Sequence, residues 1–130
     1  MRREGTDVTV NGYGASIKTI MRAADTAAVE GTSLEVVDAR SLAPLDLDTM
    51  ATSLEKTGRL VVVQEAPHMA SIGSEMVAEL SERCFYSLRA PGVRVSGYHV
   101  PYPPTRLEED YRPTVDRILD AVDKVMEFER

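Results

Sequence analysis

A chain of 130 residues, 43% of them hydrophobic, is long enough for one compact domain and short for two independent cores. Its 15 basic and 21 acidic side chains give a formal charge of −6, which repels nucleic-acid phosphates and anionic lipid surfaces. No apolar run approaches the roughly 20 residues that span a bilayer, and none follows Arg2-Arg3 as in a signal peptide. We therefore expect one soluble domain, residues 1–130, that binds neither nucleic acid nor membrane.

The sequence contains a single cysteine, Cys84, which falls on the apolar stripe of a predicted helix. This position favours a buried, inert thiol over a nucleophile, and a lone cysteine forms no internal disulfide. A reducing, cytoplasmic location fits best. With only His68 and His99 as histidines, no ligand cluster has recognisable spacing, so we expect no metal site.

The first half of the chain alternates strand and helix patterns. Residues 7–11 alternate apolar and polar and predict a strand, which the turn at 12–14 ends. Apolar residues recur at helical spacing over 17–28, and Gly31 ends that helix. Residues 33–38, rich in β-branched side chains, predict the second strand.

The second predicted helix and third predicted strand have the clearest boundaries. Asp46 is the expected N-cap of a helix that Gly58 closes. Residues 60–63, Leu-Val-Val-Val, show no polar alternation, as is typical of a parallel strand covered on both faces. We therefore place this strand in the middle of the sheet.

The pattern continues to the end of the chain. A third helix carries Ile72, Met76, Leu80 and Cys84, a fourth strand covers 93–96, and an amphipathic helix starts at about Pro113. Strands alternating with helices predict a three-layer α/β/α sandwich around a mostly parallel sheet.

Two segments follow predicted strands, where open α/β sheets often bind ligands. The turn from Gly12 through Gly14 to Ser16 could bind a phosphorylated ligand, but it lacks a complete dinucleotide or P-loop pattern and equally fits a simple tight turn. Glu65 and His68 could act as acid and base, or could be a capping carboxylate and a surface imidazole.

A third segment combines prolines, tyrosines and acidic residues. Rigid prolines and tyrosines lose little entropy on docking, so this loop suits a protein interface. The acidic run after it either faces a basic partner or forms a solvated turn before the last helix. The candidates for partner binding are Pro101, Tyr102, Pro103, Pro104, Glu108, Glu109 and Asp110.

The order of these motifs resembles the carboxy-terminal domain of the beta subunit of thiamine-diphosphate-dependent 2-oxo acid dehydrogenases. The segments that carry the resemblance are 4–9 with Tyr13-Gly14, 37–46, 56–67, 82–85, 101–104 and 107–113. The proline loop leading into Leu107-Glu108 is more similar to branched-chain (2-oxoisovalerate) enzymes than to pyruvate enzymes. Gln64 and His99 stand where the family usually has histidine and aspartate, and residues 69–73 replace a glycine-rich turn.

The resemblance implies a transketolase-type domain with a five-stranded sheet, and a chain that is a fragment of a longer beta subunit. It implies that thiamine diphosphate and magnesium serve the intact enzyme, which passes an acyl group to lipoamide, and that this domain binds neither and carries no catalytic residue. The implied partners are the alpha subunit, a second beta subunit in a heterotetramer, and the basic binding domain of the acyltransferase.

The acidic candidates for the acyltransferase contact are Glu108, Glu109, Asp110, Glu127 and Glu129. Three alternatives remain open. They are the same domain of a pyruvate or acetoin dehydrogenase, a stand-alone domain for phosphorylated ligands, and the equivalent domain of transketolase or deoxyxylulose-phosphate synthase, against which the motifs argue.

Overall fold

The computed structural model describes residues 1–128, in which strands and helices alternate as the sequence predicts. The strands are β1 (Val8–Gly12), β2 (Leu34–Asp38), β3 (Leu60–Pro67) and β4 (Val93–Gly97), and the helices are α1 (Ser16–Val29), α2 (Leu47–Thr57), α3 (Ile72–Arg83), α4 (Glu108–Tyr111) and α5 (Val115–Met126). One 3₁₀ turn, Thr105–Leu107, precedes α4. None of the helices within residues 1–128 has the length and apolar character needed to cross a bilayer.

The four strands form one parallel sheet in the order β2-β1-β3-β4. Val61 and Val63 of β3 pack with α1 and α5 on one face, whereas Leu60 and Val62 pack with α2 and α3 on the other. Both the three-layer α/β/α sandwich and the central position of β3 are therefore confirmed. Side chains on both faces are buried because helices cover each of them.

Capping residues explain the two ends of α2 and the start of α5. The Asp46 carboxylate accepts a hydrogen bond from the Thr49 N–H at 3.1 Å, and Gly58 ends α2 with φ of 73°, as predicted. The start of α5 differs from the prediction. Pro113 lies before the helix rather than in its first turn, because the Thr114 side chain is the N-cap and accepts from the Arg117 N–H at 3.2 Å.

The expected fifth strand is the main correction to the fold. Residues 1–128 form four strands, and the edge of β2 carries only an isolated antiparallel bridge between Arg3 and Val36. Gly5 then passes so close to β2 that an added Cβ would lie 2.3 Å from the Leu34 carbonyl carbon. The chain is therefore pressed against β2 without extending the ladder into a strand.

Cys84 is buried at the end of α3, as the sequence predicts. Burial raises the pKa of its thiol, and Glu55 adds to that effect. A thiol in this environment stays protonated and unreactive at neutral pH.

Candidate functional site

The candidate site lies at the carboxyl edge of the sheet, between β1 and β3. Strand β1 connects through α1 to β2 on one side, whereas its neighbour β3 connects through α3 to β4 on the other side, so the connections leave the carboxyl ends of these two strands in opposite directions. In open α/β sheets, such a switch point is where ligands usually bind. Both strand-end segments singled out in the sequence, 12–16 and 64–68, lie here.

Gln64 organises this edge, although it was not among the site residues predicted from the sequence. Its side chain is fully buried, accepts the Gly73 N–H at 2.9 Å, and donates to the Ser71 hydroxyl at 2.6 Å. It also donates to Ser96 of β4 at 3.2 Å. A neutral amide therefore joins β3, β4 and the start of α3, and its hydrogen bonds do not depend on a titrating group. The feature of the sequence that could have singled out this position is that glutamine stands where the resembling family usually has histidine.

Glu65 and His68 contact different residues and are not paired with each other. The Glu65 carboxylate faces the Arg112 guanidinium at 3.6 Å, whereas the His68 side chain is exposed and its backbone carbonyl accepts from Arg94 at 2.9 Å. Within residues 1–128, no hydrogen bond joins the two side chains. The arrangement favours a structural role for Glu65.

The neighbouring Tyr13 hydroxyl has a raised pKa. Its burial is the larger cause, and the negative charge of Glu65 is the smaller one.

Arg112 connects three of the predicted site residues. Besides Glu65, its guanidinium donates to the Tyr102 hydroxyl at 3.3 Å and to the Glu108 carboxylate at 3.1 Å. The proline loop, α4 and β3 are thus held together by one cation. The sequence placed Arg112 only within a resembling segment, because Glu65 lies 47 positions before it in the chain, although Glu108 is only four positions away.

Edge-to-face contacts between tyrosine rings support the proline loop. The buried Tyr111 ring makes edge contacts with Tyr102 at 5.1 Å and Tyr98 at 6.4 Å between centroids, and Arg117 lies over Tyr98 at 5.1 Å. Tyr98 and Tyr102 nevertheless remain 54% and 51% exposed. A rigid base beneath exposed aromatic side chains is typical of an interaction surface.

We call this region the proline-loop surface. Its members are the exposed or half-exposed residues Tyr98, Val100, Pro101, Tyr102, Pro103, Pro104, Leu107, Glu109 and Asp110. Glu108 is half-buried against Arg112, so Glu109 and Asp110 are the acidic side chains that α4 presents to solvent.

The two remaining acidic candidates do not join this surface. Glu127 is exposed at the far end of α5, which starts near the carboxyl edge and runs about 18 Å to the opposite edge. Glu129 lies outside the described residues. The predicted acidic set is therefore divided between two edges of the sheet.

The turn after β1 is built as a tight turn. Gly14 has φ of 60°, a conformation that L side chains rarely adopt, and it is exposed. The Ser16 hydroxyl donates to the Tyr13 carbonyl at 2.6 Å, which closes the turn. The glycine is thus explained by backbone geometry.

Comparison with known proteins identifies the fold family. The family model for "Transketolase, C-terminal domain" matches residues 1–118. The chain belongs to this family. The fold is also similar to that of a solved split-gene transketolase, an inactive beta4 tetramer, with a TM-score of 0.80 and 29% identity over 98% of this chain and 41% of that one.

The curated relatives of this transketolase C-terminal domain include beta subunits of 2-oxo acid dehydrogenases. The pyruvate dehydrogenase E1 component subunit beta of Leifsonia xyli is 51% identical, and the match covers 97% of this chain and 37% of that protein. The 3-methyl-2-oxobutanoate dehydrogenase subunit beta of Mycobacterium tuberculosis is 49% identical, over 97% of this chain and 36% of that protein. The chain thus spans less than two fifths of these relatives, and its resemblance to their carboxy-terminal domain is confirmed.

Residues 1–128 contain no cluster of three or more histidine, cysteine, aspartate or glutamate side chains that could hold a metal ion. The contacts of this edge describe a surface and a supporting network of hydrogen bonds and ion pairs.

Proposed function

We propose that this chain is the assembly domain of the beta subunit of a thiamine-diphosphate-dependent 2-oxo acid dehydrogenase, and that it supplies contact surface rather than catalytic groups. The observation that carries the proposal is the identity of about half of the residues to two such beta subunits across nearly the whole chain. The lone buried Cys84 supports a cytoplasmic location for the assembly.

The branched-chain type is the preferred subtype within this proposal. The proline loop leading into Leu107-Glu108 supports it, whereas relatives of the pyruvate and branched-chain types are similar to the chain to nearly the same degree, at 51% and 49% identity. The pyruvate or acetoin type is the alternative. Activity of the full-length subunit on each 2-oxo acid distinguishes them.

The proposed partners are the alpha subunit, a second beta subunit in a heterotetramer, and the basic binding domain of the acyltransferase. The proline-loop surface supports the last contact. Tyr98 and Tyr102 offer rigid apolar area, and the adjacent Glu109 and Asp110 offer negative charge to a basic domain. Paired charges of this kind mainly accelerate association.

The test is the association rate with the acyltransferase's binding domain, measured by stopped flow at low salt. Reversing two charges with Glu109→Lys and Asp110→Lys should slow association about tenfold, because electrostatic steering is lost. A matched control, Asp123→Lys with Glu127→Lys, changes the same charge at the opposite end of α5 and should leave the rate within about twofold. Equal rates for the first variant and the unmodified chain, or slowing by the control alone, would place docking elsewhere.

A further inference from the structure

A second feature of the carboxyl edge lies outside the proline-loop surface. A cleft of about 280 Å³ separates α1 from the segment that leads into α5. Its charged lining consists of Lys18 and Arg22 from α1, Arg112 from the segment before α5, and Glu65 from β3. The cleft therefore carries three cations against one carboxylate.

The two cations that α1 contributes to this cleft have no carboxylate partner. Lys18 and Arg22 are four residues apart on α1, where like charges repel, and neither forms an ion pair with a carboxylate of residues 1–128. Arg112, by contrast, pairs with two carboxylates, Glu65 at 3.6 Å and Glu108 at 3.1 Å, so the uncompensated charge is that of Lys18 and Arg22. Such an excess is unexpected in a chain whose formal net charge is −6.

Among residues 1–128, no carboxylate pairs with Lys18 or Arg22. This uncompensated positive charge in a cleft points to an anion as its occupant.

We propose that this cleft binds the phosphoryl group of a small organic phosphate. Arginine presents paired N–H donors that match phosphate oxygens, and two further cations on α1 complete the charge of a dianion. A volume of about 280 Å³ accommodates a phosphoryl group with a few attached atoms.

Occupancy of the cleft affects the proline loop through Arg112. A phosphoryl oxygen competes with Glu65 for the guanidinium, which also holds the Tyr102 hydroxyl and the Glu108 carboxylate. Because Arg112 lines the cleft and also contacts Tyr102 of the proline loop, binding in the cleft changes the environment of Tyr102. This coupling follows from contacts within the chain and does not depend on the proposed enzyme.

Titrations followed by backbone amide chemical shifts test the proposal, at constant ionic strength set with chloride. Inorganic phosphate and glycerol 3-phosphate are the two probes, and both should give saturable shifts at Thr19 and at Tyr102. Tighter binding of glycerol 3-phosphate identifies an organic phosphate as the natural class, whereas equal binding contradicts that part of the proposal. The variant Lys18→Gln with Arg22→Gln should weaken binding about tenfold.

The control is a variant with the same loss of charge at a distance. Arg89→Gln with Lys124→Gln changes two exposed cations that do not line this cleft, and it should bind phosphate within about twofold of the unmodified chain. Shifts that grow linearly with phosphate, or an equal loss of binding in both variants, would overturn the site. Saturation at Thr19 without any shift at Tyr102 would overturn the coupling.

Discussion

Glu35 provides the most quantitative test of how the fold is held together. Its side chain is only 2% exposed on β2, where its carboxylate accepts the Gly5 N–H at 3.2 Å and an ion-pair hydrogen bond from Lys56. Burial opposes ionisation and is the largest single influence on this carboxyl. Hydrogen bonds from Lys56, Ser53 and Gly5, together with the positive charge of Lys56, outweigh it, so the pKa of Glu35 lies below its ordinary value.

The perturbation is Glu35→Gln, which keeps the shape and removes the charge. Hydrogen bonds to a charged group are worth about 1.5–3 kcal/mol, and Lys56 is half exposed and can return to water. We therefore expect the free energy of unfolding to fall by about 2 kcal/mol at pH 7. For a domain of this size, that corresponds to a loss of about 6–8 °C in Tm.

The pH dependence has a definite sign. Because the pKa of Glu35 is lower in the folded than in the unfolded state, its ionisation stabilises the fold above the unfolded pKa of about 4.3. This stabilisation is lost as the pH falls through the lower, folded pKa. The Tm difference between the unmodified chain and Glu35→Gln should thus be full at pH 7 and shrink below about pH 4.

Differential scanning calorimetry between pH 3 and 7 measures both effects. Glu55→Gln is the matched control, because Glu55 is an exposed acid on α2 that forms no ion pair within residues 1–128. The reasoning is refuted if the Tm of Glu35→Gln stays within about 1 °C of that control, or if its deficit is the same at every pH.

Three further substitutions test individual positions by chemical denaturation. Gly97→Ala should lower the free energy of unfolding by more than about 2 kcal/mol, because its Cβ would lie 2.4 Å from the Tyr111 ring; an unchanged midpoint would contradict this packing. Asn11→Val should raise stability by about 1 kcal/mol, since the buried amide has no hydrogen-bond partner in residues 1–128; a loss of stability would show that the amide is satisfied. Ala70→Gly should also stabilise, by about 0.5–1 kcal/mol, because Ala70 has φ of 48°; destabilisation would argue against that conformation.

Local signals predicted the framework of this domain well. The apolar run at 60–63 placed β3 inside the sheet because only a strand covered on both faces lacks polar alternation. Asp46 and Gly58 marked the ends of α2 because capping depends on neighbouring backbone groups. Local signals were less informative at β3's carboxyl end, where the strand continues to Pro67 through an irregular register with β4.

The candidate site was only partly predictable, because its contacts join distant segments. The proline loop and the acidic turn could be singled out from composition. Arg112 could not, since it reaches 47 positions back to Glu65, and periodicity carries no information on such a contact. Nor could the sequence show that Glu127 and Glu109 lie at opposite edges of the sheet, since that separation is set by the direction of α5.

Isothermal titration calorimetry tests the central claim, that this chain is a docking domain of a 2-oxo acid dehydrogenase beta subunit. The chain is titrated with the acyltransferase's basic binding domain and, separately, with thiamine diphosphate and magnesium. We expect saturable heat with the protein partner, weakened by Glu109→Lys with Asp110→Lys, and none with the cofactor. Saturable heat with the cofactor and none with the binding domain would contradict it.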